Sequence, residues 1–391
     1  MQLIKHIKAS NILSFGPDGL DLPLGSLNVL IGPNGSGKSN FLELLELLRV
    51  IPSENVQKPI LDGGGIDEWI WKGADAHSQG LIEAILDYSA GLKPLRHVLK
   101  FGNYQERFYI SDERISDAGA IGGGDGVYAY YQMGTGMPII NFKDDTGKRL
   151  STSQGIQTGI SVLSQLQDPR VYPELFYVAM SYKRIKLYRE WSFGRNSIYR
   201  KSQPTNHQSD SLESDFSNLG LFLSRLRKKP AVKNALIVAL KDLYQGLTDF
   251  EVTVGGGTVQ VFFFEGDFTI PATRLSDGTL RYFCLLAILL DPTPPPLICI
   301  EEPELGLHPD ILPKIADLLI AASERTQLVV TTHSDILIDA LSEQPDSVLV
   351  CEKHEGQTSI RRLDENELKP WLEQYRLGQL WSMGEIGGNR W

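Results

Sequence analysis

The sequence predicts an α/β fold with a mixed central sheet, an antiparallel β-subdomain and a helical lobe. Short apolar runs at residues 27–31 and 296–300 are typical of buried parallel strands, and each ends in polar residues. Residues 81–142 contain β-segments separated by Gly, Asp and Asn turns, whereas residues 159–248 have a mostly helical pattern. The predicted division is an N-terminal lobe over residues 1–158, a helical lobe over 159–249 and a C-terminal lobe over 250–391.

A glycine-rich loop follows the first apolar run directly, and an amphipathic helix with apolar residues at 41–48 follows the loop. In this arrangement the backbone N–H groups surround the β- and γ-phosphates of a nucleotide, Lys38 adds a positive charge and Ser39 offers a hydroxyl to Mg²⁺. The order of strand, loop and helix therefore predicts binding of a nucleoside triphosphate. The predicted phosphate-binding residues are Gly32, Asn34, Gly35, Ser36, Gly37, Lys38 and Ser39.

Acidic residues follow the second apolar run, at the carboxyl end of a predicted strand. Ligands in open α/β sheets bind at that end of the strands. We assign Glu301 to the Mg²⁺ shell and Glu302 to orienting and polarising the attacking water. The alternative is that these acids belong to the first turn of a helix, where negative charge is also favourable.

Two further segments place polar groups at the ends of predicted elements. Ser276 and Gly278 precede the apolar helix at 283–290, and a helix N-terminus of this kind is an anion site. His333 follows a predicted strand and is placed to hydrogen-bond a γ-phosphate. A buried histidine with a purely structural role is the alternative for His333.

Together these segments resemble the ABC-type ATPases of the SMC, RecF and OLD branch. The tail at 377–391 is similar to that of bacterial stand-alone proteins described as predicted ATPases, an AAA-type ATP-binding family. The resemblance implies ATP and Mg²⁺ as cofactors, with Glu302 and His333 as catalytic residues. It also implies a head-to-tail homodimer, in which Ser276 and Gly278 of one subunit contact the γ-phosphate held by the other. In this resemblance residues 32–39 match Walker A, 275–279 the ABC signature, 297–302 Walker B and 304–309 the D-loop.

The chain departs from the family pattern at two positions. Asp277 replaces the commoner glycine of the signature, and a carboxylate near a triphosphate is repulsive unless it faces away. Glu301 replaces the usual aspartate on the metal side, which keeps the charge and adds one methylene group. We therefore expect Asp277 to be the more consequential of the two changes.

The glutamine that contacts Mg²⁺ or the attacking water in this family is harder to locate from the residues alone. We predict Gln165, because it lies where the helical lobe begins. Gln154, Gln157 and Gln167 are alternatives, and an exposed helical glutamine without a catalytic role is another.

Charge is unevenly distributed along the 391 residues. The chain as a whole has a formal net charge of −10, but residues 181–229 contain 11 Lys or Arg and 4 Asp or Glu. Basic side chains near aromatic ones suit a nucleic-acid backbone and its unstacked bases. We therefore predict nucleic-acid contact, with a solvated helix face or a docking surface for an effector protein as the alternatives. The predicted contact residues are Lys183, Arg184, Lys186 and Arg189.

Composition predicts a cytoplasmic protein with no membrane contact. No apolar run has the length needed to span a bilayer, and the first residues alternate as in an amphipathic strand. Cys284, Cys299 and Cys351 lie in apolar contexts without metal-ligand spacing, which is typical of buried free thiols.

Three functions are compatible with these motifs. The first is an ATP-gated dimer in DNA repair or anti-phage defence, which the resemblance favours. The second is a nucleotide-dependent switch or scaffold that controls a partner toxin or nuclease without binding nucleic acid. The third, a P-loop kinase or GTPase, is disfavoured by the signature, by the paired glutamates and by the lack of a guanine-reading motif.

Overall fold

The computed structural model of the protein describes residues 2–53, 56–73, 78–119, 128–133, 137–143, 149–152, 155–192, 194–207 and 209–388. The first part of the chain contains most of the strands and the helix that follows the glycine-rich loop. Its elements are β1 (Ile4–Ser10), β2 (Leu20–Pro23), β3 (Leu27–Ile31), α1 (Lys38–Val50), α2 (Gln57–Asp62), α3 (Ile66–Trp69), β4 (Gly80–Leu86), β5 (Leu95–Tyr104), β6 (Arg107–Asp117), β7 (Ala129–Gln132), β8 (Ile139–Lys143) and β9 (Arg149–Thr152).

The middle of the chain is mainly helical, and the last part alternates between strands and helices. The middle contains α4 (Val162–Gln165), α5 (Pro173–Lys183), β10 (Lys186–Tyr188), β11 (Gln203–Pro204), α6 (Leu219–Leu226) and α7 (Pro230–Leu243). The last part contains β12 (Leu247–Gly255), β13 (Thr258–Glu265), β14 (Phe268–Pro271), α8 (Asp277–Leu289), β15 (Leu297–Glu301), α9 (Leu312–Ser323), β16 (Gln327–Thr331), α10 (Asp335–Asp339), β17 (Val348–His354), β18 (Gln357–Arg362), α11 (Glu365–Leu372) and α12 (Leu377–Met383).

The central sheet has the strand order β10-β15-β16-β3-β17-β18. Neighbouring strands are parallel from β10 to β17, and β18 is antiparallel to β17. Alternate residues of β15 enter opposite cores: Ile298 and Ile300 pack in the core that contains α8, whereas Cys299 packs in the core that contains α1. The predicted mixed central sheet is therefore confirmed.

An antiparallel sheet with the order β2-β1-β4-β5-β6-β7-β8-β9 forms the predicted β-subdomain. The segments predicted at 81–87, 97–101 and 106–111 correspond to β4, β5 and β6. The segment predicted at 126–142 is divided into β7 and β8, and its residues 126–127 and 134–136 lie outside the described residues.

The segment predicted as a helical lobe contains α4 to α7, but it also contributes a strand to the central sheet. Residues 186–188 form β10, which pairs in parallel with β15. A smaller sheet, in which β13 pairs with β11, β12 and β14, packs beside α6. Strands from all three predicted lobes thus meet in the central sheet, and the lobe boundaries stay a prediction.

The first strand is joined to the central sheet by the side chain of Gln327 at the start of β16. Its carbonyl oxygen accepts hydrogen bonds from the backbone N–H groups of Leu3 (3.1 Å) and Ile4 (2.9 Å). Its amide nitrogen donates to the carbonyl oxygens of Ile4 (2.8 Å) and Gly25 (2.9 Å). Because Gln327 is fully buried, these bonds are shielded from water and fix β1 against the central sheet.

Candidate active site

The carboxyl ends of β3, β15 and β16 meet at one edge of the central sheet, where they line a pocket of about 160 Å³. Residues far apart in the sequence are brought together there because parallel neighbours end at the same edge. The lining residues are Asn34, Gly35, Gly37, Lys38, Ser39, Asn40, Glu301, Glu302, Thr331 and His333.

The loop between β3 and α1 depends on glycine at two positions. Gly32 has φ +146°, and a Cβ there would lie 2.2 Å from the carbonyl oxygen of Cys351. Gly37 has φ +104°, and a Cβ there would lie 2.2 Å from the hydroxyl oxygen of Thr358. Thr358 also donates a hydrogen bond to the carbonyl oxygen of Ser36 (2.9 Å). The strand β18 therefore supports the loop from behind and leaves its other side open to a ligand.

Lys38 is turned back onto this loop. Its Nζ donates to the carbonyl oxygens of Gly32 (2.8 Å) and Pro33 (3.0 Å). Burial lowers the pKa of Lys38, and the charges of Glu302 and Glu301 act in the opposite direction. An ammonium group held only by neutral carbonyls is well placed to exchange them for phosphate oxygens.

Ser39 and Glu301 are in direct contact, with the hydroxyl of Ser39 donating to Oε1 of Glu301 at 2.6 Å. The two side chains come from α1 and β15, and both line the pocket. A hydroxyl and a carboxylate form the oxygen donor set that Mg²⁺ prefers in phosphate sites. Ser39 and Glu301, two of the three residues predicted to hold the metal, therefore fit it.

Glu302 and His333 lie side by side at this pocket. Oε1 of Glu302 is 3.6 Å from Nε2 of His333, and about a third of each side chain is exposed. Glu302 has φ +47°, a conformation that is uncommon outside glycine and often found at functional sites. Its N–H donates to the carbonyl oxygen of Thr331 (3.0 Å), which stabilises this conformation.

Two side chains that we did not assign from the sequence hold the backbone around Glu301 and Glu302. Trp191 Nε1 donates to the carbonyl oxygen of Glu301 at 2.9 Å, and Arg281 donates to that of Glu302. The guanidinium carbon of Arg281 also lies 4.2 Å from the centre of the Trp191 ring. Burial lowers the pKa of Arg281 to about 10, so the side chain remains cationic at neutral pH. Because Arg281 belongs to α8, this contact links α8 to the carboxylates.

Glu304 connects the D-loop to the residues around His333. Its Oε1 accepts hydrogen bonds from the hydroxyl of Thr332 (2.7 Å) and from the N–H of His333 (2.7 Å). Burial raises the pKa of Glu304, and the hydrogen bond from the His333 backbone opposes this effect. No pattern in the sequence pointed to this role, because the contact joins two loops that are close only in the fold.

Ser276 and Gly278 do not line the pocket of their own chain. Ser276 is the N-cap of α8, and its Oγ accepts from the N–H of Thr279 at 3.0 Å. A Cβ on Gly278 would lie 2.9 Å from the carbonyl oxygen of Gly306. Glycine at 278 therefore allows the start of α8 to pack closely against the backbone of Gly306.

Asp277, the unusual residue of the signature, is bound by a nearby arginine. Arg200 donates to its Oδ1 from Nη2 (2.6 Å) and Nε (3.2 Å), and the N–H of Gly194 donates to Oδ2 (3.0 Å). The hydrogen bond from Arg200 keeps the pKa of Asp277 below its usual range. The charge that the signature acquires at Asp277 is therefore compensated within the chain.

The structure does not bring Gln165 to the pocket, which corrects its predicted placement. Its Oε1 accepts from the N–H of Gln157 (2.8 Å), and its Nε2 donates to the carbonyl oxygen of the same residue (3.0 Å). Gln165 thus closes a loop at the start of the middle segment. Of the alternatives, Gln167 bonds the carbonyl oxygen of Leu163 (3.1 Å), and Gln154 lies outside the described residues.

The residue that follows β10 at the active edge is Arg189. Its Nε donates to Oε2 of Glu301 at 3.0 Å, and its Nη2 lies 3.6 Å from Oε1 of Glu43. Arg189 was predicted to contact nucleic acid, but the structure pairs it with the metal-side carboxylate. The sequence did not reveal this because a strand of three residues, Lys186–Tyr188, has too short a pattern to be recognised.

The other basic residues of the predicted nucleic-acid surface are also partly engaged. Lys183 donates to the side-chain oxygen of Gln167 (3.0 Å), and Lys186 pairs with Glu213 (3.0 Å). Arg184 is the C-cap of α5. Of these contacts, the ion pair of Lys186 with Glu213 offsets a positive charge that a phosphate backbone would need.

Comparison with known proteins places this geometry in context. The family model "AAA domain, putative AbiEii toxin, Type IV TA system" matches residues 27–88 and 159–339. No curated protein sequence matches the chain.

Among solved structures, the chain is similar to an Smc head bound to the C-terminal winged-helix domain of ScpA, with a TM-score of 0.60 and 14% identity over 94% of this chain and 99% of that one. It is also similar to the Pyrococcus furiosus Smc head with an extended coiled coil bound to the C-terminal domain of ScpA, with a TM-score of 0.58 and 14% identity over 96% and 99%. At this low sequence identity, the structural similarity shows a shared fold and nothing more. Among the helices of the described residues, none is both long and apolar enough to span a bilayer.

Proposed function

Because this chain belongs to the family of AAA domains whose model it matches, and has the fold of an SMC head ATPase, we propose that it binds MgATP and hydrolyses it to ADP and phosphate. The observation that carries the proposal is the meeting of Lys38, Ser39 and the carboxylates of β15 in one pocket. Each of these groups has a separate task in phosphoryl transfer, which depends mainly on positioning and charge.

The loop and α1 bind the triphosphate in this proposal. Backbone N–H groups of residues 34–39 donate to the β- and γ-phosphates, while Lys38 exchanges its bonds to Gly32 and Pro33 for phosphate oxygens. Ser39 and Glu301 hold Mg²⁺, which neutralises charge on the phosphates when it is bound. The phosphate-binding groups thus come from the loop and α1, whereas the metal-binding groups come from both α1 and β15.

Glu302 acts on the attacking water. Its carboxylate orients the water and accepts its proton, while His333 donates a hydrogen bond to the γ-phosphate oxygens. Their separation of 3.6 Å allows both side chains to contact groups around the same phosphorus atom. Trp191 and Arg281 support this arrangement by fixing the backbone on either side of the carboxylates.

The second part of the proposal is a head-to-tail homodimer. Ser276 and Gly278 lie outside the pocket of their own chain, and Leu305 of the adjoining D-loop has 47% of its surface exposed. An exposed leucine beside an anion-binding helix N-terminus is suited to contact with a second copy of the chain. In the dimer, Ser276 and Gly278 would complete the γ-phosphate site of the facing subunit.

The biological role that we propose is an ATP-gated dimer in DNA repair or anti-phage defence. A second candidate is control of a partner effector, such as a toxin or nuclease, without binding nucleic acid. The ion pairs of Lys186 and Arg189 favour this second candidate, because they occupy side chains that a nucleic acid would need. The family description names a putative toxin of a type IV toxin–antitoxin system, which supports a role in such a system without distinguishing the two candidates.

ATP turnover with and without DNA, RNA and the product of the adjacent gene tests the proposal. We expect magnesium-dependent turnover that Lys38→Ala abolishes, and stimulation by one of the additions. Stimulation by nucleic acid supports the first role, and stimulation by the protein supports the second. Absence of ATP binding and turnover in the wild type would overturn the proposed function.

A further inference from the structure

Arg189 lies at the edge of the central sheet, next to Glu301, the residue that we assign to the metal. In the register of β10 and β15, Tyr188 is opposite Ile300, so the next residues, Arg189 and Glu301, leave the sheet side by side. A guanidinium group has five N–H donors and no lone pair to offer a metal. The side chain that lies beside Glu301 is therefore a cation that cannot be a metal ligand.

The N–H groups of Arg189 face two acidic side chains. It binds Glu301 through Nε at 3.0 Å and lies 3.6 Å from Glu43 through Nη2. The side chains of all three residues are mostly shielded from solvent, with exposures between 20% and 30%. At such partly buried positions, charge pairs are screened less than they are on the surface.

Arg189 and the metal ion would both bind the carboxylate of Glu301. Oε1 of Glu301 accepts from Ser39, and Oε2 accepts from Arg189, so the carboxylate is engaged by protein donors on both sides. A divalent ion that binds to Glu301 has to displace or repel the guanidinium group, because like charges at close distance are unfavourable.

Glu43 provides a second carboxylate to which the guanidinium group of Arg189 can bind. It lies on α1 at the border of a neighbouring cleft of about 970 Å³, which is also lined by Glu46 and Glu190. Burial raises the pKa of Glu43, and the charge of Arg189 opposes this effect. A small movement of Arg189 toward Glu43 would keep its charge compensated while Glu301 becomes available.

We infer that Arg189 competes with the divalent metal ion for Glu301, and that Glu43 accepts Arg189 when the metal binds. Arg189 is thus a positioning residue that sets the metal affinity of the pocket. Without metal, it prevents the carboxylate from repelling an incoming triphosphate. The inference rests on the proposed function, because it takes Glu301 as the metal-side residue.

Mn²⁺ alone is the probe, and its binding to the nucleotide-free full-length protein is measured by electron paramagnetic resonance. We expect Arg189→Gln to bind Mn²⁺ about tenfold more tightly than the wild type, because the competing charge is removed. Arg189→Lys, which keeps the charge but loses the planar fork, should stay close to the wild type. Arg49→Gln is the matched control, since Arg49 lines the same cleft and pairs with Glu46 instead.

A double-mutant cycle separates competition from a general effect of charge. Glu43→Gln should weaken Mn²⁺ binding, because Arg189 loses its second partner and stays on Glu301. In the Arg189→Gln background, the same change should have a much smaller effect. Circular dichroism confirms that each variant is folded, and Arg189→Met is the second variant without the charge if Arg189→Gln does not fold.

Three results would overturn the inference: equal Mn²⁺ affinity in Arg189→Gln and the wild type, an equal gain in Arg49→Gln, or additive effects of the Arg189 and Glu43 changes. Failure of the proposed function has a different signature, since the wild type would then bind no ATP in the presence of metal. Because the Mn²⁺ measurement uses no nucleotide, it gives its answer in either case.

Discussion

Arg200 donates two hydrogen bonds to one carboxylate oxygen of Asp277, at 2.6 Å from Nη2 and 3.2 Å from Nε. The same guanidinium group donates to the carbonyl oxygen of Leu275 at 2.6 Å, so it ties the start of α8 to the segment before it. Arg200 is almost fully buried, whereas about a third of the Asp277 side chain is exposed. The conformation of residues 275–277 therefore depends on a residue from a distant part of the sequence.

Replacing Arg200 tests this dependence. Arg200→Met should lower the free energy of unfolding by about 1–2 kcal/mol, because the charge of Asp277 loses its partner although solvent still screens it. It should also weaken ATP-dependent dimerisation. Chemical denaturation and sedimentation are the measurements, with Arg195→Met as the control at an exposed arginine of the same segment. Equal stability of the two variants would contradict the prediction, whereas recovery in the Arg200→Met/Asp277→Gly double variant would support it.

The ion pair also predicts a pH dependence. Because the hydrogen bond from Arg200 lowers the pKa of Asp277 in the folded state, the pair stabilises the protein above the unfolded pKa of about 4. This contribution should be lost as the pH falls through the lower folded pKa. The difference in unfolding free energy between wild type and Asp277→Asn should therefore be constant from about pH 8 to 5 and shrink below about pH 4. A difference that disappears by pH 6 would show that another group titrates.

Glu302→Gln tests the role of Glu302 at the attacking water. The variant should bind ATP normally and reduce turnover by about 10²-fold or more, since size is kept while charge and proton acceptance are lost. It should also accumulate as an ATP-bound dimer. Nucleotide binding, steady-state turnover and size-exclusion chromatography measure the three effects. Turnover within a factor of two of the wild type would remove Glu302 from this role.

Mixing two inactive variants tests the head-to-tail arrangement. Lys38→Ala should lose nucleotide binding in its own subunit, whereas Ser276→Arg should bind nucleotide as a monomer and block closure by its bulk and charge. A mixed dimer has one composite site free of both changes, so an equal mixture should recover roughly a quarter of wild-type turnover. No recovery, together with normal ATP-dependent dimerisation of Ser276→Arg, would exclude this arrangement.

Nucleic-acid binding is best tested at Lys183 and Arg184, since Arg189 belongs to the active site. If these residues contact phosphates, Lys183→Glu/Arg184→Glu should weaken binding and reduce the log–log salt slope by about 0.9 for each lost contact on duplex DNA. Basal ATP turnover should not change. Lys228→Glu/Lys229→Glu, which changes two lysines at the end of the same basic stretch, is the matched control. Identical DNA binding by the first variant and the wild type would leave the effector role as the leading candidate.

Local patterns were enough to predict the elements that carry the phosphate loop and the carboxylates. Residues 27–31 were predicted as a strand, and β3 has these bounds because all five residues are buried between the two cores. The same reasoning holds for β15, where an apolar run ends in Glu301. These predictions succeeded because burial on both faces leaves a continuous apolar run in the sequence.

Contacts between distant segments were not predictable in this way. Trp191 and Arg281 donate to backbone carbonyl groups, and any donor of suitable length can do so. The role of Arg189 depends on a strand of three residues whose pairing with β15 is set by the fold. Gln165 was selected only because it lies near the start of the middle segment, and position along the chain does not determine proximity in space.

The order of the central sheet has a consequence for synthesis on the ribosome. β3, which leads into the phosphate loop, lies between β16 and β17, and both of these strands are near the other end of the chain. At roughly 5–20 residues per second, the ribosome needs about 15–60 s after making β3 to produce its first neighbour. Throughout this interval β3 has two open edges, which favours pairing with other chains. The nucleotide pocket is thus among the last parts of the nascent protein to form, and chaperones that cover β3 would increase the yield of folded protein.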